Sequence, residues 1–316
     1  MESPSSNPSS SSSSESTTSP QAPVFSPVST ESTFSPSSDL SSASQPWACT
    51  FSARSHQSKP DLLGFIKRIL GSKANQVNDL HFTDIPPDLG PFIITWLDEN
   101  SPRKFRKTWN SRDCVLHLKM PTAIHNCVLP WFFRCCSDWL RDGIITRVEQ
   151  DGIHPQVGTT STLAYSPYTQ SSKEPDLLLR PKNGERLPSV AVEVGWSEGM
   201  AALEADCELL LRGSGGTIKV VVLIKWTLRR RSQTVSGEAS VWMLNSSDQP
   251  VKRQTEVIFP RPIFPTAQGL VLTRGQIWRG SLEPTRNPDE VMTLDIDLLR
   301  EEAVVELADM GLRPAV

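Results

Sequence analysis

Two apolar, largely β-branched runs with a helical stripe between them constrain this chain more than any other feature. The first is Val190-Ala191-Val192-Glu193-Val194, and the second is "TIKVVVLIKW", residues 217–226. Between them Met200, Leu203, Cys207, Leu210 and Leu211 recur at helical spacing and stop at Gly213. A strand that is apolar on both faces belongs in the middle of a sheet. A helix joining two such strands implies a parallel, right-handed crossover. The expected fold is therefore α/β, with a mixed central sheet and flanking helices. Ser197 is the expected cap of the crossover helix, with Glu198 in its first turn.

The rest of the chain divides by composition. Residues 1–46 are rich in Ser, Pro and Thr and nearly without aliphatic residues. Such a segment cannot bury enough apolar surface to offset its chain entropy, so a disordered tail is expected over 1–58. A helical or irregular lead-in is expected over 59–112, with Leu62, Leu63, Phe65, Ile66, Ile69 and Leu70 at helical spacing and a short buried element at 91–98. The α/β domain then spans 113–316. A second short buried element is expected at 114–119. Thr122 caps a helix with Leu129, Phe132, Phe133, Cys136 and Leu140 on one face, bent near Pro130 and ending at Asp142-Gly143. Strand-length pieces follow at 238–244, 254–259, 269–273 and 292–298, then an amphipathic helix over 298–310.

Several function classes are disfavoured by composition. The formal net charge of −3 argues against a constitutive DNA coat. Two local basic clusters, Arg103, Lys104, Arg106 and Lys107, then Arg229, Arg230 and Arg231, read as nuclear-import signals, phosphate contacts or solvated loops. The N-terminus has no secretory pattern, and no apolar run approaches the ~20 residues needed to span a bilayer. The expectation is a soluble intracellular protein, cytoplasmic or nuclear, that does not enter a membrane. The six cysteines include no CxxC pair. A zinc site from His125, Cys127, Cys135 and Cys136 fits no common spacing, so buried reduced thiols are the expectation.

Two carboxylates lie just ahead of the crossover. Asn183-Gly184 suits a two-residue type I′ turn. With that turn Lys182 faces Glu185 and Asp176 faces Ala191. Asp176 and Glu193 then project from one face as diagonal neighbours, about 7–8 Å apart at Cα. Leaning together, they suit a hard divalent cation, Mg²⁺ or Mn²⁺, which binds substrate phosphate directly and polarises it. The alternative is a pair of acids on the solvent face of an ordinary hairpin. A one-residue slip would place them on opposite faces.

The segments "SSKEPDLLLRP" and "VAVEVGWSE", preceded by "KMPTAIHN" and followed by "GGTIKVVVLIKW", resemble the core of the PD-(D/E)XK nuclease superfamily. They are more closely similar to a large group of uncharacterised fungal proteins within it. The resemblance covers roughly residues 115–230. It implies a restriction-endonuclease-like core, with Asp176 and Glu193 as metal ligands and the main-chain carbonyl of Val194 as a further oxygen. The superfamily lysine would fall at Gly195, which cannot orient water or offset charge. A lysine from the next strand is the usual rescue, and Lys219 is nominated over Lys225 as the catalytic group. Both also suit lysines snorkelling at a strand end.

Other positions carry weaker signals. Asn126 stands where the superfamily often has an acid, and Glu149 compensates only if its segment reaches the site. His125 reads as a ligand or base, or as a packed or capping residue. Lys173 and Glu174 flank the Pro-Asp, and Trp196 covers the site or fills core.

The leading functional expectation is a metal-dependent endonuclease using Mg²⁺ or Mn²⁺, with nucleic acid as partner and DNA favoured over RNA. The competing one is a nuclease fold that has lost turnover and serves as a binding or regulatory module, since Gly195 and Asn126 leave two positions unfilled and a scaffold outlasts its chemistry. The Ser/Pro tail suits phospho-regulation or docking of protein partners, or is simply solvated. A Ser/His hydrolase has little support, because no G-x-S-x-G elbow is present.

Overall fold

The computed structural model describes residues 48–73, 77–101, 105–182, 184–196, 198–263 and 269–316. The Ser-rich tail to residue 47, Arg103 and Lys104, Asn183 of the expected turn and the Ser197 cap lie outside the described residues. The chain opens with β1 (Ala48–Ser52), α1 (Lys59–Lys73), β2 (Asp79–Thr83), α2 (Gly90–Asn100), β3 (Arg106–Asn110) and β4 (Val115–Lys119). A 3-10 turn over Ala123–Cys127 leads into α3 (Val128–Arg141) and α4 (Arg147–Asp151). Three short strands follow: β5 (Ile153–Gln156), β6 (Ser161–Leu163) and β7 (Ser171–Lys173). Next come β8 (Leu177–Pro181), β9 (Val190–Gly195), α5 (Met200–Gly213) and β10 (Val220–Arg229). The chain closes with β11 (Thr234–Leu244), β12 (Pro250–Phe259), β13 (Gly269–Thr273), α6 (Arg274–Trp278), β14 (Val291–Asp295), α7 (Ile296–Asp309) and β15 (Arg313–Pro314).

The fold is mixed α/β. A seven-stranded sheet runs β12-β11-β10-β9-β8-β5, with β15 beside β11. Strands β9 and β10 are parallel and joined by α5, as the two apolar runs require. One face of this sheet, carrying Leu178, Ala191, Val221 and Leu223, packs on Leu203, Cys207, Leu210 and Leu211 of α5. The other face, carrying Leu177, Val192, Val194, Val222 and Ile224, packs on α3, α7 and the β13-β14 pair. Among the described residues no helix is long and apolar enough to cross a membrane.

The expected lead-in has its helix as α1 and its buried element within α2, but it is a strand-bearing segment and not an irregular one. Residues 48–119 supply four strands of a six-stranded sheet ordered β1-β2-β4-β3-β7-β6. β3 and β4 pair antiparallel across the expected boundary at 112/113, so no domain limit falls there. β1 also lies inside the segment expected to be tail. Helices α1 and α2 cover one face of this sheet through Leu62, Ile66, Ile93 and Leu97, against Leu80, Phe82, Trp109, Leu116 and Leu118. The opposite face is polar and still buried.

Two local expectations are corrected. On α3 the buried residues are Val128, Trp131, Phe132, Cys135, Cys136 and Trp139, whereas Phe133 is half exposed. Trp131 and Trp139 complete the buried face where Phe133 was expected. The indole N–H groups of Trp131 and Trp139 fix it by donating to the carbonyls of Asp295 and Thr293, at 2.6 and 2.9 Å. On β8 and β9 the register is Leu177↔Val192, Leu178↔Ala191 and Leu179↔Val190, two residues away from the tight-turn register. A two-residue turn would need Lys182 to bond across to Glu185. After Pro181 the chain instead turns toward β5, with Lys182 N–H donating to the Gly152 carbonyl.

A buried carboxylate-lysine site between the two sheets

The site is assembled by period-two alternation on two sheets. On β8 and β9 the observed register sets Asp176 opposite Glu193, and the Asp176 N–H donates to the Val192 carbonyl at 3.1 Å. Even-numbered Leu178 and odd-numbered Ala191 face α5, so Asp176 and Glu193 project to that side too. On the six-stranded sheet Asp79 pairs with Lys119, His81 with His117, Arg106 with Lys119 and Thr108 with Lys173. These residues form the polar face, alternating with the apolar residues under α1 and α2.

The two faces meet through charge. Lys119 Nζ lies 3.3 Å from Asp176 Oδ2, 3.4 Å from Glu193 Oε2 and 3.2 Å from the Val194 carbonyl oxygen. It is also 3.2 Å from Glu198 Oε1. Lys173 Nζ lies 3.3 Å from Glu193 Oε1 and 2.5 Å from Asp206 Oδ2 on α5. Arg106 holds Glu174 Oε1 at 2.9 Å and reaches Asp176 Oδ1 at 3.4 Å, while Lys107 holds Glu174 Oε2 at 2.7 Å. Val194 N–H donates to Asp176 Oδ2 at 2.8 Å. The side chains of Asp176 and Glu193 are fully buried.

The electrostatics separate the two carboxylates. Burial pushes the Glu193 carboxyl above its usual range, and the nearby Asp206 and Asp176 charges add to this against the pull of Lys173 and Lys119. Burial acts the same way on Asp176, but Lys119, His125 and the Val194 N–H outweigh it and hold the group low. Lys119 is held well above the lysine range by Asp176, Glu198 and Glu193, although burial opposes this. Asp79, Glu174, Asp176, Glu193, Glu198 and Asp206 outnumber the cations that face them. Glu193 Oε1 and both Glu198 oxygens are buried without an aligned hydrogen bond.

These donors fit a hard cation. Two carboxylates and a main-chain carbonyl converge on one point, the oxygens are those Mg²⁺ or Mn²⁺ takes, and acid is in excess. In the structure the Lys119 ammonium stands at that point. Lys119 and Lys173 are the residues sequence reasoning missed: one is remote on β4, the other was read only as a flank of Pro-Asp. In "DLHFT" and "VLHLK" Asp79, His81, His117 and Lys119 alternate with apolar residues, a pattern that marks a strand with one polar face but not what covers it.

The other sequence candidates fall as follows. Lys219 is exposed, and its N–H donates to Ser189 O at 2.7 Å. Leu223, not Lys219, pairs with Glu193, which puts Lys219 about 13 Å away along the strand at ~3.3 Å per residue. Lys225 pairs with Gly195 and donates to the Trp196 carbonyl at 3.1 Å, so it is the nearer of the two, contrary to expectation. Asn126 is exposed and bonds Glu306 on α7, away from the carboxylates. Glu149 does not reach the site either; Arg274 and Arg286 pair with it. His125 accepts the Thr122 N–H on Nδ1 at 3.1 Å, leaving a buried Nε2 with no partner. Among the described residues the grouping with metal-ligand geometry is Asp79, His117 and Glu198, with no cysteine in it. Burial pushes the Cys135 thiol up to about 12 and raises those of Cys127, Cys136 and Cys207 as well.

Glu198 also floors a surface cleft of about 370 Å³ lined by Trp196, Lys225, Thr227, Leu228 and Arg230. A neighbouring cleft of about 430 Å³ shares Trp196, Leu228 and Arg230. Comparison with protein-family models, with curated proteins and with solved structures finds no match to this chain.

Proposed function

We propose that the protein is a metal-dependent phosphodiesterase with a restriction-endonuclease-like core, acting on nucleic acid, DNA before RNA. The observation that carries this reading is the convergence of Asp176, Glu193 and the Val194 carbonyl on one point, within 3.2–3.4 Å of the Lys119 ammonium. A bound Mg²⁺ or Mn²⁺ would supply Lewis-acid polarisation of the phosphodiester. Asp176, Glu193 and Val194 are the residues that would hold it. Lys119 pairs with both carboxylates, at 3.3 and 3.4 Å, and takes the charge-stabilising role that Gly195 cannot fill. Lys173, locked by Asp206, orients Glu193. Lys225 and Arg230 line the cleft at which a phosphate backbone would arrive, and Trp196 offers it an aromatic wall.

A second reading, a nuclease fold without turnover, is favoured by one observation. Lys119 stands on all three oxygen donors and so already occupies the point that a metal would take. The two readings part in one assay. The full chain is incubated with Mn²⁺ or Mg²⁺ and single- or double-stranded DNA, beside Asp176→Asn and Glu193→Gln. Cleavage lost in both variants supports the enzyme. A folded wild type that cleaves neither substrate but binds DNA supports the module.

A further inference from the structure

A second cluster of ligand atoms lies beside the carboxylate-lysine site and touches it through Lys119, whose Nζ is 3.2 Å from Glu198 Oε1. Asp79 on β2, His117 on β4 and Glu198 after β9 bring one ligand atom each within 4.8 Å of one another, and all three are buried. Asp79 and His117 are diagonal neighbours on the polar face of the six-stranded sheet, and His117 Nε2 lies 3.0 Å from Asp79 Oδ1. The contact is a hydrogen bond that an ion would replace, and its length is near the ~3.3 Å that separates two ligands about 2.0–2.2 Å from one tetrahedral ion. His81 stacks on the His117 ring at 4.1 Å between centroids, so the imidazole plane is fixed.

Glu198 supplies an independent observation. Its side chain is only 2 % exposed, yet neither carboxylate oxygen accepts an aligned hydrogen bond. Lys119 stands 3.2 Å from Oε1 and balances charge without satisfying the oxygens. A buried carboxylate left in this state carries a desolvation cost that a coordinated cation removes.

We propose that Asp79, His117 and Glu198 bind a divalent ion of the borderline class, Zn²⁺ or Co²⁺, through ligands other than Asp176 and Glu193. An imidazole nitrogen with two carboxylates suits these ions better than Mg²⁺ or Ca²⁺, which take oxygen throughout. Three protein ligands leave a position open, and Glu198 faces the Lys225-Arg230 cleft. The ion ties the six-stranded sheet to the segment between β9 and α5, so it braces the loop that follows Glu193. The inference does not depend on the phosphodiesterase reading.

The test is Co²⁺ titration of the full-length chain followed by its visible absorption bands. The wild type is expected to show bands that saturate. His117→Asn and Glu198→Gln should each weaken binding by about 10–100-fold or more. Asp176→Asn/Glu193→Gln should keep the bands, which separates this site from the phosphodiesterase one. X-ray absorption on the wild type, which needs no variant to fold, should find a nitrogen ligand about 2.0–2.1 Å from bound Zn²⁺. Wild type without bands, bands unchanged in His117→Asn, or an all-oxygen shell around zinc would each overturn the proposal.

Discussion

A Cβ on Gly195 would lie 2.5 Å from Leu203 Cδ1, so α5 fills the space that a side chain at this position of β9 would need. The residue is glycine because the crossover helix packs directly on the strand two positions beyond Glu193. Gly195→Ala should therefore cost about 1–3 kcal/mol through overpacking, read as a lower urea midpoint. Adding Leu203→Ala should relieve the clash, making the double variant more stable than the two single effects sum to. Gly195→Lys should gain no activity. A Gly195→Ala protein as stable as wild type would show that Leu203 yields freely.

Lys119 offsets two buried carboxylates at once. Replacing it with Met keeps the length and removes the charge, leaving Asp176 and Glu193 facing each other. In chelator the variant should lose about 3–5 kcal/mol, the usual cost of removing one partner from a buried pair. Mn²⁺ should recover part of that loss, seen as a larger metal-induced rise in melting temperature than in wild type. Equal stability with and without the lysine charge would mean that the pair does not need it.

Glu149 gives the fold an acid-sensitive ion pair far from the site. Burial alone would raise its pKa, but the Thr146 N–H and the guanidinium groups of Arg286 and Arg274 hold it below the usual value. The unfolded chain then binds the proton more readily, so the stabilisation from this pairing is fully present above about pH 4.3 and fades as pH falls toward the folded value. Glu149→Gln should cost about 3–5 kcal/mol at pH 7 and flatten the acid limb of a stability-pH curve. An unchanged acid limb would assign that dependence to other carboxylates.

The cleft above Glu198 should carry the phosphate contacts. Lys225→Glu with Arg230→Glu should weaken DNA binding, measured by fluorescence anisotropy over a salt series. The slope of log K against log salt should fall by about 1 for each phosphate that is no longer neutralised. A slope unchanged in the double variant would move the nucleic-acid surface elsewhere.

How much of this was legible in the sequence depends on locality. The crossover from Val190 to Trp226 was plain, because it is local and strongly patterned. The common face of Asp176 and Glu193 survived even though the register moved by two residues, since an even shift preserves the face. The shift itself was not readable locally, because the Lys182 N–H is taken by the Gly152 carbonyl just ahead of β5, a partner distant in sequence. Lys119 was not legible by the same logic. It reaches the carboxylates from another sheet, and "VLHLK" alone looks like a strand with one wet face. Only the packing of that face against β8, β9 and α5 makes its polar residues buried, and strand periodicity carries no information about what covers a face. Lys219 was preferred over Lys225 for want of the β9-β10 register, which is set by long-range pairing.

The most direct test of the carboxylate site is calorimetric titration of Mn²⁺ into the full chain, beside Asp176→Asn and Glu193→Gln. The wild type is expected to release or absorb heat with a saturable isotherm, and each variant to lose at least tenfold in affinity for that event. A folded wild type with no binding heat at any temperature tried, or a binding event that both variants retain unchanged, would contradict the account.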